Sequence, residues 1–514
     1  MTDTIPSIIK LSELLTQHSS DDWKDVSLCF GHFNEIHPGH LRYFRLARDY
    51  GAILAVAVEG DHFSGESSPP NHFPELERAQ AVRSLDLIDT VIILDEGLSI
   101  EKLIEYISPA ALVLGPEFEN ERFSEVKQSV SLINKLGGRV IYAAGEKHYA
   151  TANLFYGTQQ ELEKDRWMQF QKALRSQNID VSALLNRLRP SRKKNILVLG
   201  DTIVDRYVAC DPLGLSNEAP IVVVKELETR DFIGGAAIVA AHVSALGAKC
   251  TYLSVTGQDN RYTFVKDRLS DFGVETTLVK DSSRPTTFKI RYHVENQKLF
   301  RVSKLKDHNL STNIEELIID QIARIGPTLD GILVCDFVYG VITPALINSL
   351  IQISNDYDIP LFGDLQCSSQ IGDVSKFNDF ELLCPTEKEA RIALTNQDDS
   401  IEIVANLLME KTRAKKMIVK LAADGLIAYD MNRNSASRQH FPALCANPVD
   451  LAGAGDSLLA AASVALTHEC SLMEAAALGT CAAALAVQTV GNTPIGLNRL
   501  EEYLEQKIAI YNAS

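Results

Sequence analysis

An α/β protein of two domains, the second carrying a small β lid, is what this sequence predicts. Three observations lead there. The chain has 514 residues, too many for one ordinary domain. Apolar strand-like runs alternate with helix-like segments through most of its length, the pattern of largely parallel sheets with helical crossovers. Two glycine-bearing turns, at residues 31–40 and 450–457, open helices and leave backbone N–H groups to receive an anion.

Composition sets limits on function. Apolar residues make up 46% of the chain, enough for buried cores. A formal charge of −17 argues against a nucleic-acid or anionic-membrane partner. No apolar run reaches the about 18 residues of a membrane span. Residues 1–20 lack the layout of a signal peptide, so a cytoplasmic location is expected. The nine cysteines include no C-x-x-C pair. They read as reduced core thiols, and no structural zinc site is expected.

Residues 1–24 form an N-terminal extension with a short helix. The first domain is placed at 25–155. Residues 26–30 are a buried strand, 41–50 a helix closed by Gly51, and 52–58 a second strand, which makes a βαβ unit. Between them runs Gly31-His-Phe-Asn-Glu-Ile-His37-Pro-Gly39-His40. His37 and His40 flank Pro-Gly at the helix start, where both imidazoles can point at one nucleotide phosphate. Strands follow at 89–93, 111–114 and 139–143. Arg78 either contacts phosphate or is an ordinary helix-surface arginine.

Residues 156–193 are polar with a helical period and end in a basic run that includes Arg187, Arg189, Arg192 and Lys193. They read as a helical linker whose charges form a solvated face. The second domain is placed at 194–514. Its first strand, 195–200, leads to Asp205, which is either a turn residue or an acceptor for sugar hydroxyls. Gly234-Gly235 precedes a small-residue helix and lets backbone lie close to a sugar. Residues 286–301, with Lys289 among them, alternate apolar and polar and read as a lid hairpin. Strands at 331–335, 361–364, 381–384 and 416–421 continue the alternation.

Asp450-Leu-Ala-Gly-Ala-Gly-Asp456-Ser457 carries most of the chemistry. Gly453, Ala454 and Gly455 present amides at a helix start, and glycines at 453 and 455 let a phosphate approach. Asp456 stands at the edge of that site, placed to take a proton from a substrate hydroxyl. The bland alternative is a plain helix start with an acidic first-turn residue.

Residues 31–40 resemble the G-x-F-D-x-x-H-x-G-H signature of the cytidylyltransferase-like family at Phe33, His37, Gly39 and His40. Glu77-Arg78-Ala79 resembles its E-R element. The chain departs from that family at Asn34, usually Asp, and at Leu114-Gly-Pro-Glu117, where a Lys-Gly pair binds phosphate. Only Tyr149-Ala-Thr151, with Lys147 and His148 nearby, represents its Ser-Thr element. Residues 450–456 resemble the D-T-x-G-A-G-D signature of ribokinase-like (PfkB) sugar kinases. Pro385-Thr386-Glu387-Lys388-Glu389 resembles their P-N-x-x-E, and Lys420 with Gly425 their nucleotide-side turn. Departures are Ile238 for Asn, Gln366 for the Lys of D-P-K, Lys420 for Thr and Leu451 for Thr. Taken together the chain resembles the bifunctional heptose kinase/nucleotidyltransferases of ADP-heptose synthesis, in reversed domain order.

The resemblance implies an N-terminal Rossmann-like nucleotidyltransferase domain and a C-terminal ribokinase-like α/β domain with its β lid. It implies a sugar or sugar phosphate as substrate, ATP as co-substrate, CTP or ATP for the first domain, Mg²⁺ met by Glu389, and a homodimer paired through lids. It gives Asp205, Gly234, Gly235 and Lys289 to the sugar. Phe33, Gly39, Arg78, Thr151, Lys420 and Gly425 go to nucleotides. Asn492 goes to the adenine pocket or a monovalent-cation site. Two other readings stay open: a working kinase joined to a nucleotidyltransferase-like domain that only binds or assembles, and a scaffold without activity.

Overall fold

The structure is a computed structural model. It describes residues 6–17, 23–34, 36, 38–63, 73–114, 124–142, 159–189, 192–219, 221–295, 297–367, 370–432 and 435–512. The chain divides into two compact units, 1–158 with 396–404, and 159–395 with 405–514.

The first unit is built on β1 (Ile8–Lys10), β2 (Val26–Gly31), β3 (Ile53–Glu59), β4 (Thr90–Leu94), β5 (Ala111–Leu114) and β6 (Arg139–Tyr142). They form one sheet in the order β1-β4-β3-β2-β5-β6, with every pair parallel. The strands are apolar throughout because both faces are covered. Leu28, Ala55 and Ala57 face one buried cluster, and Cys29, Leu54 and Val56 the other. The chain order reverses between β2 and β5. The glycine-bearing turn and the helix Pro38–Arg48 therefore follow the strand at the switch point, where such sheets bind ligands. The expected helix of the extension is present as Leu11–Gln17. Before it lies β1, an unforeseen edge strand paired with β4.

The expected helical linker is helical, and from residue 159 it belongs to the second unit. Helices Gln159–Ser176 and Val181–Arg187 bury Trp167, Phe170, Leu184 and Leu185 in the core of the second unit. The basic run is largely paired within the same unit: Arg187 with Glu474, Arg189 with Glu501 at 2.9 Å and Lys194 with Asp330 at 3.6 Å.

The main sheet of the second unit joins β7 (Asn195–Gly200), β10 (Lys249–Thr256), β11 (Glu275–Lys280), β14 (Gly331–Asp336), β15 (Leu361–Leu365), β16 (Leu382–Leu383), β17 (Lys416–Lys420), β18 (Leu426–Asn432) and β19 (Ser435–Phe441). Its order is β11-β10-β7-β14-β15-β16-β17-β18-β19, parallel up to β17 and antiparallel beyond. Helices Ala236–Ala245, Ala454–Thr467 and Leu472–Ala486 are buried along most of their length. Their alanines let them pack closely, and the lack of a polar face marks core helices. The lid is a second sheet of β8 (Thr202–Leu215), β9 (Val222–Gly235), β12 (Thr287–Val294) and β13 (Gln297–Lys304), ordered β13-β12-β8-β9. The hairpin at 286–301 supplies only half of it. The long β8–β9 hairpin supplies the rest and was not read as strand, because its start coincides with the Asp205 motif. All nine cysteines are free, most of them buried. Among the described residues no helix is long and apolar enough to cross a membrane.

Candidate active site

Gly453 caps the helix Ala454–Thr467 with φ +83, a left-handed conformation that a side chain resists. A Cβ there would also lie 2.8 Å from Asn492 Oδ1. The first amide of the helix to find a backbone partner is Ser457, which donates to Gly453 O at 2.9 Å. Among the described residues nothing accepts from the N–H groups of Ala454, Gly455 and Asp456. They are the amides that the sequence offers to an anion, and the positive end of the helix lies behind them.

Asp456 is buried beside these amides. Its Oδ1 accepts from Gln366 Nε2 at 2.6 Å. Burial pushes its carboxyl up to about 6, against the Gln366 hydrogen bond and the Lys420 charge that favour the ionised form. A carboxylate in that range is ionised at neutral pH yet basic enough to take a proton during reaction.

The lid carries a second buried carboxylate, Asp205 on β8. Strand pairing sets Lys289 directly opposite Asp205, and Arg291 opposite Tyr207. Arg291 Nη2 lies 2.7 Å from Asp205 Oδ1. That contact is an ion pair without hydrogen-bond geometry, so Oδ1 is a buried acceptor with no donor. Gly234 is needed here because a Cβ would come within 2.2 Å of Asp205 Oδ2. Gly235 lies against Asp201 O. Burial pushes the Asp205 carboxyl up, while Arg291 and Lys289 pull it down. The charge of Lys289 also favours the ionised form of Asp456.

Asn492 sits with this group. Its Nδ2 donates to Ile233 O at 3.2 Å and to Asp205 Oδ2 at 3.4 Å. It bridges the lid strands to the Gly453 turn, because the turn after helix Leu472–Ala486 returns under the lid. Its Oδ1 is a second buried acceptor without a donor.

Lys420, at the end of β17, points its Nζ at both oxygens of Asp364, at 2.8 and 2.9 Å. Gly425 makes the turn that follows; a Cβ there would lie 2.1 Å from Phe441 O. Glu389, read from the sequence as the metal residue, completes a capping box with Thr386. Its Oε1 accepts from Cys367 N at 2.9 Å and its Oε2 from Thr386 N at 2.8 Å. Among the described residues no cluster of three or more His, Cys, Asp or Glu is placed to hold an ion. Both Glu389 oxygens already accept from backbone N–H groups. Contact through water still fits the remaining lone pairs of Glu389.

In the first unit Phe33 packs its ring against His40 and Phe44, with centroids 5.2 and 5.3 Å away. Gly39 is buried at the helix start. Arg78 is fully buried and is not a phosphate arm. Its guanidinium donates to Phe73 O at 3.0 Å, His32 O at 2.6 Å and Asp61 Oδ1 at 2.9 Å. It is not a helix-surface arginine either; it ties its own helix to the turn after β2. His37, Gly115, Glu117, Lys147, His148 and Thr151 lie outside the described residues.

The sequence reading gave no role to Arg291, Asp364 or Gln366. Alternation along 287–294 could have placed Arg291 on the face of Lys289. The role of Gln366 depends on its neighbour across the turn, and no local pattern shows that.

A buried carboxylate beside unclaimed helix-start amides, under a lid with a second carboxylate, is the layout of a lidded α/β phosphotransferase unit. Residues 193–497 match the family model described as pfkB family carbohydrate kinase, and residues 28–187 match the one described as cytidylyltransferase-like. The chain belongs to the pfkB family of carbohydrate kinases. It is similar to the bifunctional protein HldE of a Nitratiruptor species, 30% identical over 60% of this chain and 65% of that protein. It is equally similar to HldE of Geobacter sulfurreducens, 30% identical over 59% of this chain and 61% of that one. The chain thus spans less than two thirds of these relatives' length. Among solved structures, phosphofructokinase-2 from Escherichia coli in complex with substrates and products is 18% identical, with a TM-score of 0.51, over 61% of this chain and 99% of that one. That likeness bears on the fold alone.

Proposed function

We propose that the second unit phosphorylates a sugar hydroxyl from ATP and that the first joins the resulting sugar phosphate to a nucleotide. The acceptor is a heptose or heptose phosphate taken at its anomeric hydroxyl, a choice that follows the HldE relatives. One observation carries the kinase reading: Asp456 stands beside three helix-start amides that nothing among the described residues uses. In the reaction Asp456 takes the hydroxyl proton and the hydroxyl oxygen bonds to the γ-phosphorus. The bridging oxygen leaves on ADP with its electron pair. Asp205 Oδ1 and Asn492 Oδ1 accept from other sugar hydroxyls, and Lys289 and Arg291 close over them. Glu389 would hold the magnesium of the nucleotide through water, and the ion would neutralise charge on the phosphates.

In the first unit a sugar 1-phosphate oxygen attacks the α-phosphorus of CTP or ATP and pyrophosphate leaves. His37 and His40 steady the charge. A specific observation favours a second reading for this unit alone. Arg78 is committed to the fold, which removes one phosphate ligand and suits a domain that binds nucleotide without turnover.

The test is a screen of heptoses and heptose phosphates for ATP-dependent phosphorylation, each product then offered with the four nucleoside triphosphates. Pyrophosphate release abolished by His40→Ala supports two activities. Kinase turnover without pyrophosphate from any nucleotide supports the second reading. No ADP from any sugar removes the kinase.

Strands β8, β9 and β13 of the lid expose Leu213, Leu215, Leu227, Phe300 and Val302. We infer that a second copy of the chain covers them, since so many exposed apolar residues on one small sheet mark a docking surface. Phe300→Glu with Leu227→Glu should halve the mass seen in sedimentation; an unchanged mass, or a monomeric parent, rejects the pairing.

A further inference from the structure

Two of the departures from the ribokinase-like pattern meet at one place in the fold. Gln366 stands where that pattern has lysine, and Lys420 where it has threonine. A Cβ built on Gly455 would lie 3.5 Å from Lys420 Nζ and 3.9 Å from Gln366 Nε2. Both side-chain ends therefore border the Gly-Ala-Gly turn, from the ends of β17 and β15.

The two ends do different work. Gln366 holds the base, at 2.6 Å from Asp456 Oδ1, but brings no charge. Lys420 brings charge. Its backbone is fixed by donation to Pro385 O at 2.8 Å and by a bridge to Thr386. Its ammonium is fixed by both oxygens of Asp364. Burial works against the charged form, and the carboxylates of Asp364 and Glu389 outweigh it, so its pKa stands above the ordinary lysine value. The result is an ammonium that keeps its proton, held rigidly at the edge of three unclaimed amides.

We infer that Lys420 is the cation that meets the transferring phosphoryl group, and that this site has moved its positive charge from the strand end after β15 to the end of β17. The assignment rests on the kinase reading. As the γ-phosphoryl group moves, charge spreads over its equatorial oxygens. The amides of 454–456 donate to some of these oxygens and Lys420 Nζ to another, with no proton transferred at Lys420. Asp364 is then a positioning residue that aims Lys420. This is a different task from gripping the nucleotide, the role that the resemblance implies for Lys420.

The experiment measures equilibrium binding of ADP to the full chain with Mg²⁺, with and without aluminium fluoride, a planar mimic of the moving phosphoryl group. The wild-type protein should bind ADP more tightly when aluminium fluoride is present. Lys420→Met should lose about 100-fold of that tightening, the usual effect of removing one such donor, with ADP alone bound nearly as before. The exchange Gln366→Lys with Lys420→Thr should recover most of it, which a merely structural lysine would not do. If Lys420→Met fails to fold, Asp364→Asn with Lys420→Met removes both charges and leaves no buried carboxylate alone; it should show the same loss. Full tightening in a folded protein without the lysine overturns the assignment. So does an equal loss with ADP alone, which would make Lys420 a nucleotide grip. A wild-type protein that binds ADP yet shows no tightening removes the kinase reading, and the role of Lys420 with it.

Discussion

The two units treat buried charge in opposite ways. In the second, Asp456 and Asp205 are buried and Lys420 largely so, yet acceptors and amides beside them have no hydrogen-bond partner among the described residues. In the first, Arg78 is as deeply buried, and its guanidinium is committed to two carbonyls and one carboxylate. A polar group buried without a partner costs free energy, so it persists where a ligand supplies the partner. A polar group buried with its partners holds up the fold. The same kind of turn, glycine-bearing and opening a helix, thus leaves its amides unclaimed in one unit and is tied by a buried arginine in the other.

The sharpest way to break this comparison is Asp456→Asn. If the carboxylate is a base, turnover should fall about 1000-fold while the thermal midpoint changes little, because Asn keeps the contact with Gln366. A small loss of turnover would make Asp456 a helix-start residue after all. The corresponding test in the first unit is Arg78→Met. It should leave sugar phosphorylation intact and destabilise the first unit by about 3 kcal/mol, because two buried carbonyls lose their donors. Denaturant unfolding followed by a probe in that unit reads the loss. A stable variant with weakened nucleotide binding would reverse the assignment and return Arg78 to the phosphate.

Much of this was legible in the sequence, for reasons that differ by element. The parallel strands were readable because both faces are covered, so β3 and β7 are apolar almost without interruption. The Gly453–Asp456 turn was readable because its chemistry is local: glycine, amide and carboxylate follow one another in the chain. The helix Gln159–Ser176 was read as linker because its polar residues outnumber Trp167 and Phe170, and burial of two aromatics on one face is a tertiary fact. Arg78 was misread for the same reason. Nothing near it in sequence says that the carbonyl of His32 will come within reach. The meaning of Gln366 and Lys420 was hidden most deeply, since each looks like a simple loss until the fold sets both beside Gly455.

The pH dependence gives a finer test of the same contrast, with smaller effects. The free enzyme needs Asp456 ionised, so kcat/KM for sugar phosphorylation should fall tenfold per pH unit below an apparent pKa of about 6 and level off above it. The sign of each neighbour follows from which form it favours. Gln366 donates to the ionised carboxylate and so lowers its pKa; Gln366→Met removes that donor and should move the acidic limb to higher pH. Lys420→Met should move it the same way, because the ammonium also favours the ionised form. Arg78→Met should leave the limb where it is, since Arg78 belongs to the other unit. A limb that stays put in all three variants would mean that some other group is the base. A limb that moves down on loss of Gln366 would mean that the glutamine favours the protonated carboxyl, so that its contact with Asp456 holds the base back instead of readying it.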